Sequence, residues 1–261
     1  MKLKNKTLFF LIAIIGSIID IGSKTYVFKL LKATIFIPSL LFTFEYTQPN
    51  IPDWQTIQQE FQKQNITLSE NTSIQYYNTK EYWLQSNTEN YLLKYDKNQY
   101  KIYTSQPPIP SNSKLRSPYL FVDKDTADIV IIPKCFNLHA AFNLGAVWST
   151  FQGQYFMLTS LSIFAIFFIL YLVWKNNYNY AYQIIIGGIL AGTIGNLWDR
   201  IFYGGVRDFL DCYIQNSHWP TYNLADSYIV VGIIFFCILE FKNYKKQKKI
   251  KTETQTETQN M

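Results

Sequence analysis

Four apolar runs, each long enough to cross a bilayer, limit what this chain can fold into. A helix spans a hydrocarbon layer of roughly 30 Å with about 20 residues. Segments of that length lie at about 7–28, 155–174, 181–203 and 223–241. In lipid every backbone N–H and C=O must find its partner within the segment, so such runs are read as α-helices. The mean hydropathy of −0.04 conceals them, because it averages them against a polar stretch from about 45 to 130 that is rich in Tyr, Gln, Asn and Lys. Gly187, Gly188, Gly192 and Gly195 in the third run let neighbouring helices come close, the small-residue route to packing in lipid.

Charge gives the runs a direction. The formal net charge is +6, and much of the excess sits at the ends. Lys2, Lys4 and Lys6 precede the first run; Lys242, Lys245, Lys246, Lys248, Lys249 and Lys251 follow the last; Lys175 separates the second from the third. Basic tails are also a nucleic-acid footprint, but flanking apolar spans they mark the cytoplasmic side. Both termini are therefore expected inside, with about 29–154 and 204–222 outside, and no nucleic-acid partner is expected. A basic start followed by an apolar run also fits a secretory signal peptide. Against that, no A-x-A site follows, and cleavage would discard Asp20 and Lys24.

Under this topology the costly polar residues fall at one level, near the outer face. Asp20 and Lys24 occupy the outer half of the first span, and Asn196, Asp199 and Arg200 the outer end of the third. Asp208 lies in the short outer link, and Asn223 and Asp226 open the fourth span. A carboxylate at the edge of a bilayer is expensive unless it is paired or used.

Asp208 and Asp226 are the candidate catalytic pair. Two neighbouring carboxylates do not both ionise freely, so one keeps a proton near neutral pH. The charged one takes a proton from water and the protonated one polarises a carbonyl, which is amide hydrolysis without metal or covalent intermediate. The competing reading gives each carboxylate an ion pair or a helix cap, and Asp226 at a helix start suits the dipole there. Asp199 and Arg200 are adjacent and so share no helix face; each is expected to pair elsewhere, with Arg200 offering its fork to a carbonyl or carboxylate. Asp20 and Lys24, four apart, read as a helix-face salt bridge. Asn143 offers an amide to a peptide backbone and Gly145 permits close approach, although Asn-x-Gly alone is a turn signal.

Other chemistries have less support. Cys135 with His139, or Cys212 with His218, suggests a thiol enzyme or a zinc site, but neither pair has a recognisable third member. No metal-ligand spacing, Gly-x-Ser-x-Gly or His-Glu-x-x-His occurs, and no cofactor is expected. Cys237 lies inside an apolar run, and a disulfide between Cys135 and Cys212 stays open.

Five strings in order carry a resemblance. They are Asp20-Ile21-Gly22-Ser23-Lys24, Phe136 to Ala146 with Asn143 and Gly145, Gly195-Asn196-Leu197-Trp198-Asp199-Arg200-Ile201, Gly205-Val206-Arg207-Asp208-Phe209, and Trp219 to Ser227 with Asn223 and Asp226. Together they resemble the lipoprotein signal peptidase (signal peptidase II) family of the bacterial inner membrane, over about 1–32 and 130–241. The resemblance implies a mainly α membrane protein of four transmembrane helices with a small extracytoplasmic β-rich cradle. It implies removal of signal peptides from diacylglyceryl-modified prolipoproteins, before the lipidated cysteine, with Asp208 and Asp226 as the catalytic pair. Asn143, Asn196, Arg200 and Asn223 become substrate-contacting or supporting groups, and Asp20 a supporting one. Membrane lipids are the other expected partners; oligomeric state is not legible. Arg207 departs from the apolar residue usual before the catalytic aspartate: its charge is expected either to act on Asp208 or to meet lipid headgroups. Trp148 stands where Phe is common.

The large departure is an insertion. The domains are read as 1–32, the first span and its basic start; 33–132, extracytoplasmic strands and an inserted α+β module; 133–241, the membrane core; and 242–261, a basic, disordered tail. Thr34–Pro38 and Leu40–Phe44 read as strands, Trp54–Gln64 as an amphipathic helix, Tyr91–Tyr95 and Tyr100–Tyr103 as a hairpin, and Gln106–Pro110 as a linker. The module serves either as a bland accessory or in recognition of substrate or partner. Competing readings for the whole are a non-catalytic lipopeptide-binding relative and a small membrane transport subunit.

Overall fold

The computed structural model describes residues 6–35, 38–45, 52–68, 72–78, 81–85, 90–96, 99–105, 113–117, 119–123, 125–145, 154–215 and 217–259. The first elements in chain order are α1 (Thr7–Leu30), β1 (Ala33–Ile35), β2 (Pro38–Glu45), α2 (Trp54–Lys63), β3 (Ser73–Asn78) and β4 (Glu81–Gln85). Then come β5 (Asn90–Asp96), β6 (Gln99–Ser105), β7 (Ser113–Ser117), β8 (Leu120–Asp123), β9 (Ile129–Ile132) and β10 (Phe136–Asn143). The last are α3 (Tyr155–Lys175), α4 (Tyr180–Tyr203), β11 (Val206–Ile214), β12 (Ser217–His218) and α5 (Leu224–Gln259). They form two compact units: Met1–Tyr26 with Lys134–Phe136 and Asn143–Met261, and Val27–Pro133 with Asn137–Phe142.

Among the described residues four helices are long and apolar enough to cross a membrane, Thr7–Leu30, Tyr155–Lys175, Tyr180–Tyr203 and Leu224–Lys251, and all but the last residues of the first belong to the first unit. Helix α3 buries only Leu158 and Val173, and most of its other side chains are partly or well exposed, as a lipid-facing helix requires. Helix α4 is the central one, with buried residues from Tyr182 to Asp199. Its ends follow local chemistry. Asn179 caps the start by accepting from the Tyr182 N–H at 3.2 Å, and Gly204 ends it at φ 78°, where glycine is favoured. At one end of the bundle Lys6 Nζ donates to the Val173 and Trp174 carbonyls, satisfying orphan groups at the end of α3.

Close approach around α4 depends on two glycines. A Cβ on Gly192 would lie 2.3 Å from the Ala225 carbonyl oxygen, and one on Gly195 would lie 2.2 Å from Asp20 Oδ2. Neither distance is tolerable, so only glycine lets α5 and the Asp20 side chain reach α4.

The second unit is built on an antiparallel sheet in the order β2-β6-β5-β4-β3. Side chains alternate across it. Tyr82, Leu84, Tyr91, Leu93, Tyr100 and Ile102 pack with Ile57 and Phe61 of α2, while Trp83 and Leu92 pack on the other side with Phe121 of β8. Strand β8 is the middle of a second sheet, β1-β8-β7, and β9 neighbours β10. The expected amphipathic helix, the strand at Leu40–Phe44 and the β5–β6 hairpin are present; of the strand read at Thr34–Pro38, Thr34 and Ile35 lie in β1, Pro38 opens β2, and Phe36 and Ile37 lie outside the described residues. The linker at Gln106–Pro110, Lys2, Lys4, Ala146 and Trp148 lie outside the described residues.

One expectation is corrected. The tail after Lys251, read as disordered, continues α5 as helix to Gln259. Lys, Gln and Glu favour helix and Lys249 faces Glu253 one turn on at 3.7 Å, and these outweigh the four β-branched threonines of the tail.

Candidate active site

The site lies within the first unit and begins with how β11 and the start of α5 are joined. The N–H groups of Phe209 and Leu210 donate to the Tyr222 carbonyl at 3.0 and 2.8 Å, and the Tyr222 N–H returns to Leu210 at 3.1 Å. This one-residue bridge ties the strand carrying Asp208 to the segment carrying Asn223 and Asp226.

Asn223 caps α5. Its Oδ1 accepts from the Asp226 N–H at 3.0 Å, and Asp226 Oδ2 accepts from the Asn223 N–H at 3.2 Å. The pair is a reciprocal capping box with Asp in the third helical position. The Ala225 N–H, another orphan of this first turn, donates to Asp20 Oδ1 at 2.8 Å. The cap left open as an alternative for Asp226 is thus real, and it coexists with a second link. Asn223 Nδ2 donates to Asp208 Oδ1 at 2.7 Å and to Asn196 Oδ1 at 3.1 Å. Asn196 Nδ2 in turn donates to Asp226 Oδ1 at 2.8 Å.

Asn143 closes the other side of Asp208, its Nδ2 lying 3.3 Å from Asp208 Oδ2. Its Oδ1 accepts from the Gly145 N–H at 2.9 Å, so Asn-x-Gly is an Asx turn that orients the amide. Asp208 and Asn223 are buried, while Asp226, Asn143 and Arg200 are half-buried. Burial pushes the Asp208 carboxyl well above the usual carboxylate range, and the Asp226 charge adds to the rise. Asn223, Lys24 and Asn143 oppose it.

Behind this cluster is a buried ion network. Lys24 Nζ lies 2.7 Å from Asp20 Oδ2, 3.0 Å from Asn196 Oδ1 and 3.7 Å from Asp199 Oδ2. Asp199 takes both the Nε and Nη2 of Arg207, the latter at 2.8 Å, and also its backbone N–H at 2.9 Å. Arg207 Nη1 donates to Thr25 Oγ1 at 3.2 Å, and its guanidinium lies over the Tyr203 ring. Arg200 donates to the Asn196 carbonyl at 3.4 Å, and Asp226 and Asp208 are its strongest carboxylate neighbours.

All ten residues singled out from the sequence meet here. Asn143, Asn196, Asp208, Asn223 and Asp226 share one hydrogen-bonded cluster; Asp20, Lys24 and Asp199 back it; Arg200 lies beside it; Gly145 holds Asn143. Of the two expectations for Arg207, the headgroup one fails, because its side chain is buried. Nor does it touch Asp208 directly, because successive strand residues point to opposite faces. It is buried on Asp199 instead.

The geometry gives the thiol and zinc readings no support. His139 Nδ1 pairs with Asp128 at 2.8 Å and His218 Nδ1 with Asp211 at 2.9 Å, and among the described residues no hydrogen bond joins either ring to a cysteine. Cys135, Cys212 and Cys237 are free thiols, so Cys135 and Cys212 are not joined. Cys212 Sγ lies 3.2 Å from the Tyr222 hydroxyl, and that contact, with burial, pushes the phenol up to about 12. No group of three metal ligands occurs among the described residues.

Residues 114–242 match the family model described as signal peptidase (SPase) II. The lipoprotein signal peptidase of Cupriavidus pinatubonensis is 34% identical over 119 residues, covering 44% of this chain and 68% of that protein. That of Janthinobacterium sp. is 38% identical, covering 42% and 70%, and that of Francisella tularensis subsp. novicida is 35% identical, covering 46% and 78%. A bacterial membrane enzyme solved in meso at 2.3 Å is 30% identical with a TM-score of 0.43, covering 45% of this chain and 73% of that one.

Proposed function

The chain belongs to the signal peptidase II family, and from that premise we propose that it is an aspartyl endopeptidase that removes signal peptides from diacylglyceryl-modified prolipoproteins, cutting before the lipidated cysteine. The observation that carries the proposal is the pair of carboxylates held through one asparagine, with Asn223 donating to Asp208 from its side chain and to Asp226 from its main chain. Charge balance supports a shared proton. Lys24, Arg200 and Arg207 set three cations against the four carboxylates of Asp20, Asp199, Asp208 and Asp226, so one proton makes the count even. Burial favours that proton on Asp208, whose side chain is buried while that of Asp226 is half-buried.

Asp226 takes a proton from water as the water oxygen attacks the scissile carbonyl carbon. Asp208 gives its proton to the carbonyl oxygen. The tetrahedral adduct then returns that proton to Asp208, the carboxyl of Asp226 gives its proton to the leaving nitrogen, and the C–N bond breaks. Asn143 and Arg200 hold the substrate backbone; Asn196 and Asn223 hold the pair; Asp20, Lys24 and Asp199 support them; and Gly145 sets Asn143. The mechanism uses no metal or cofactor. The enzyme spans the bacterial inner membrane with both termini in the cytoplasm and the pair near the outer face. In that frame 33–132 is extracytoplasmic, and its module serves either as an accessory or in recognition of substrate or partner.

The test uses purified protein, a diacylglyceryl-cysteine peptide and its unlipidated twin. Wild type is expected to cut only the lipidated peptide, and Asp208→Asn and Asp226→Asn each to lose at least about a thousandfold in kcat. Full rate in either variant removes the pair from the mechanism, and equal cutting of the twin removes the lipid requirement. Affinity without cleavage by wild type makes the protein a lipopeptide binder.

A further inference from the structure

We propose that Arg207 is a positioning residue, holding the Asp208–Asp226 pair in register through Asp199, Lys24 and Asn196. The inference rests on the peptidase reading above and deepens it.

The geometry supplies every link. Arg207 immediately precedes Asp208 on β11 and is anchored on α4, where Asp199 receives its backbone N–H and two guanidinium nitrogens. Asp199 is fully buried, and its second ion-pair partner is Lys24 at 3.7 Å, with Arg200 a more distant cation. Lys24 is itself fully buried and already paired with Asp20 at 2.7 Å. Two carboxylates and one lysine would leave a buried negative charge; Arg207 makes the set two against two. An unbalanced buried charge is far more costly than the pair is stabilising.

The balance matters for the pair because Lys24 has a second task. Its ammonium donates to Asn196 Oδ1 at 3.0 Å. That fixes the Asn196 amide so that Nδ2 points at Asp226, while the same Oδ1 receives Asn223 Nδ2, the donor to Asp208. Without Arg207, Asp199 draws Lys24 towards itself and away from Asn196, and both carboxylates lose their alignment. The network also joins the main chain on either side of the pair. At one end it holds the N–H of Arg207, one residue before Asp208; at the other, Asp20 holds the N–H of Ala225, one residue before Asp226.

The charged groups around the pair are Asp20 and Lys24 on α1, Asp199 and Arg200 on α4 and Arg207 on β11. Removing the Arg207 charge leaves this set one unit more negative. Both limbs of the pH profile of kcat/KM then move to higher pH, since a carboxylate ionises less readily among anions.

The experiment measures that profile on lipidated peptide with full-length protein in detergent. For Arg207→Leu the expected result is a loss of about tenfold or more in kcat, little change in KM, and both limbs raised by about half a pH unit or more. Arg207→Lys, which keeps the charge but not the fork, is expected to keep its limbs at wild-type pH. Asp199→Asn combined with Arg207→Leu rebalances the charge and is expected to bring the limbs back. If Arg207→Leu does not accumulate, the lysine and double variants carry the test alone. Unmoved limbs in Arg207→Leu, raised limbs in Arg207→Lys, or limbs still raised in the double variant overturn the inference. A wild-type protein that does not cleave overturns the peptidase reading instead.

Discussion

Asn223 donates from its side-chain amide to Asp208 at 2.7 Å while its side-chain oxygen receives the N–H of Asp226 at 3.0 Å. One residue therefore both caps α5 and aligns the proposed catalytic pair, and the two tasks are separable by substitution.

Asn223→Ser keeps a good helix cap but loses the amide donor. Its stability is expected to stay within about 1 kcal/mol of wild type, with cleavage reduced at least about a hundredfold. Asn223→Ala loses both and is expected to unfold more readily as well. Thermal unfolding in detergent beside a cleavage assay separates these outcomes; equal losses of stability in the two variants count against the division of roles.

Asp208 makes stability depend on pH. Between the ordinary carboxylate value and its raised one, the folded chain keeps a proton that the unfolded chain releases, so stability falls as pH rises through that window. Asp208→Asn removes the titration. The inactive variant is expected to melt at a higher temperature than wild type at about pH 8, with the gap closing towards about pH 4. Parallel melting curves across that range contradict the assignment.

Gly195→Ala places a methyl where Asp20 Oδ2 now lies and is expected to cost about 1–3 kcal/mol together with most activity. Gly188, also on α4, has open space where a Cβ would stand, with nothing within 4 Å. Gly188→Ala is expected to be neutral or to stabilise by up to about 1 kcal/mol, through helix propensity alone. A chemical-denaturation series on both proteins reads the contrast.

The topology has its own check. The exposed Cys135 is expected to react with a membrane-impermeant maleimide on intact spheroplasts. A cysteine placed at Gln255 in a background with Cys135, Cys212 and Cys237 all replaced by Ser is expected to react only after permeabilisation. Labelling of the second site on intact cells reverses the assigned direction.

Much of this was legible because lipid imposes a length and polar groups in lipid demand partners. The third span, read at 181–203, is observed at Tyr180–Tyr203, and Asn179 and Gly204 at its ends are ordinary cap residues. Arg207 was not legible in the same way. Its partner Asp199 was in view, but as the neighbour of Arg200, and sequence adjacency hides a pairing made across a turn from helix to strand. Strand β4 was missed because Tyr82, Trp83 and Leu84 are buried on both faces of the sheet, which erases the alternation that marks a half-exposed strand. The end of α5 is hard to place from sequence because a low-complexity tail with alternating threonines argues for disorder, while its Lys, Gln and Glu favour helix.

Asp226 sits in the opening turn of α5 with both its oxygens engaged. An inhibitor that grips this side chain grips an anchor that the protein needs for its own integrity. Escape by mutation at that position loosens the drug and frays the helix together, which leaves a resistant strain little room there.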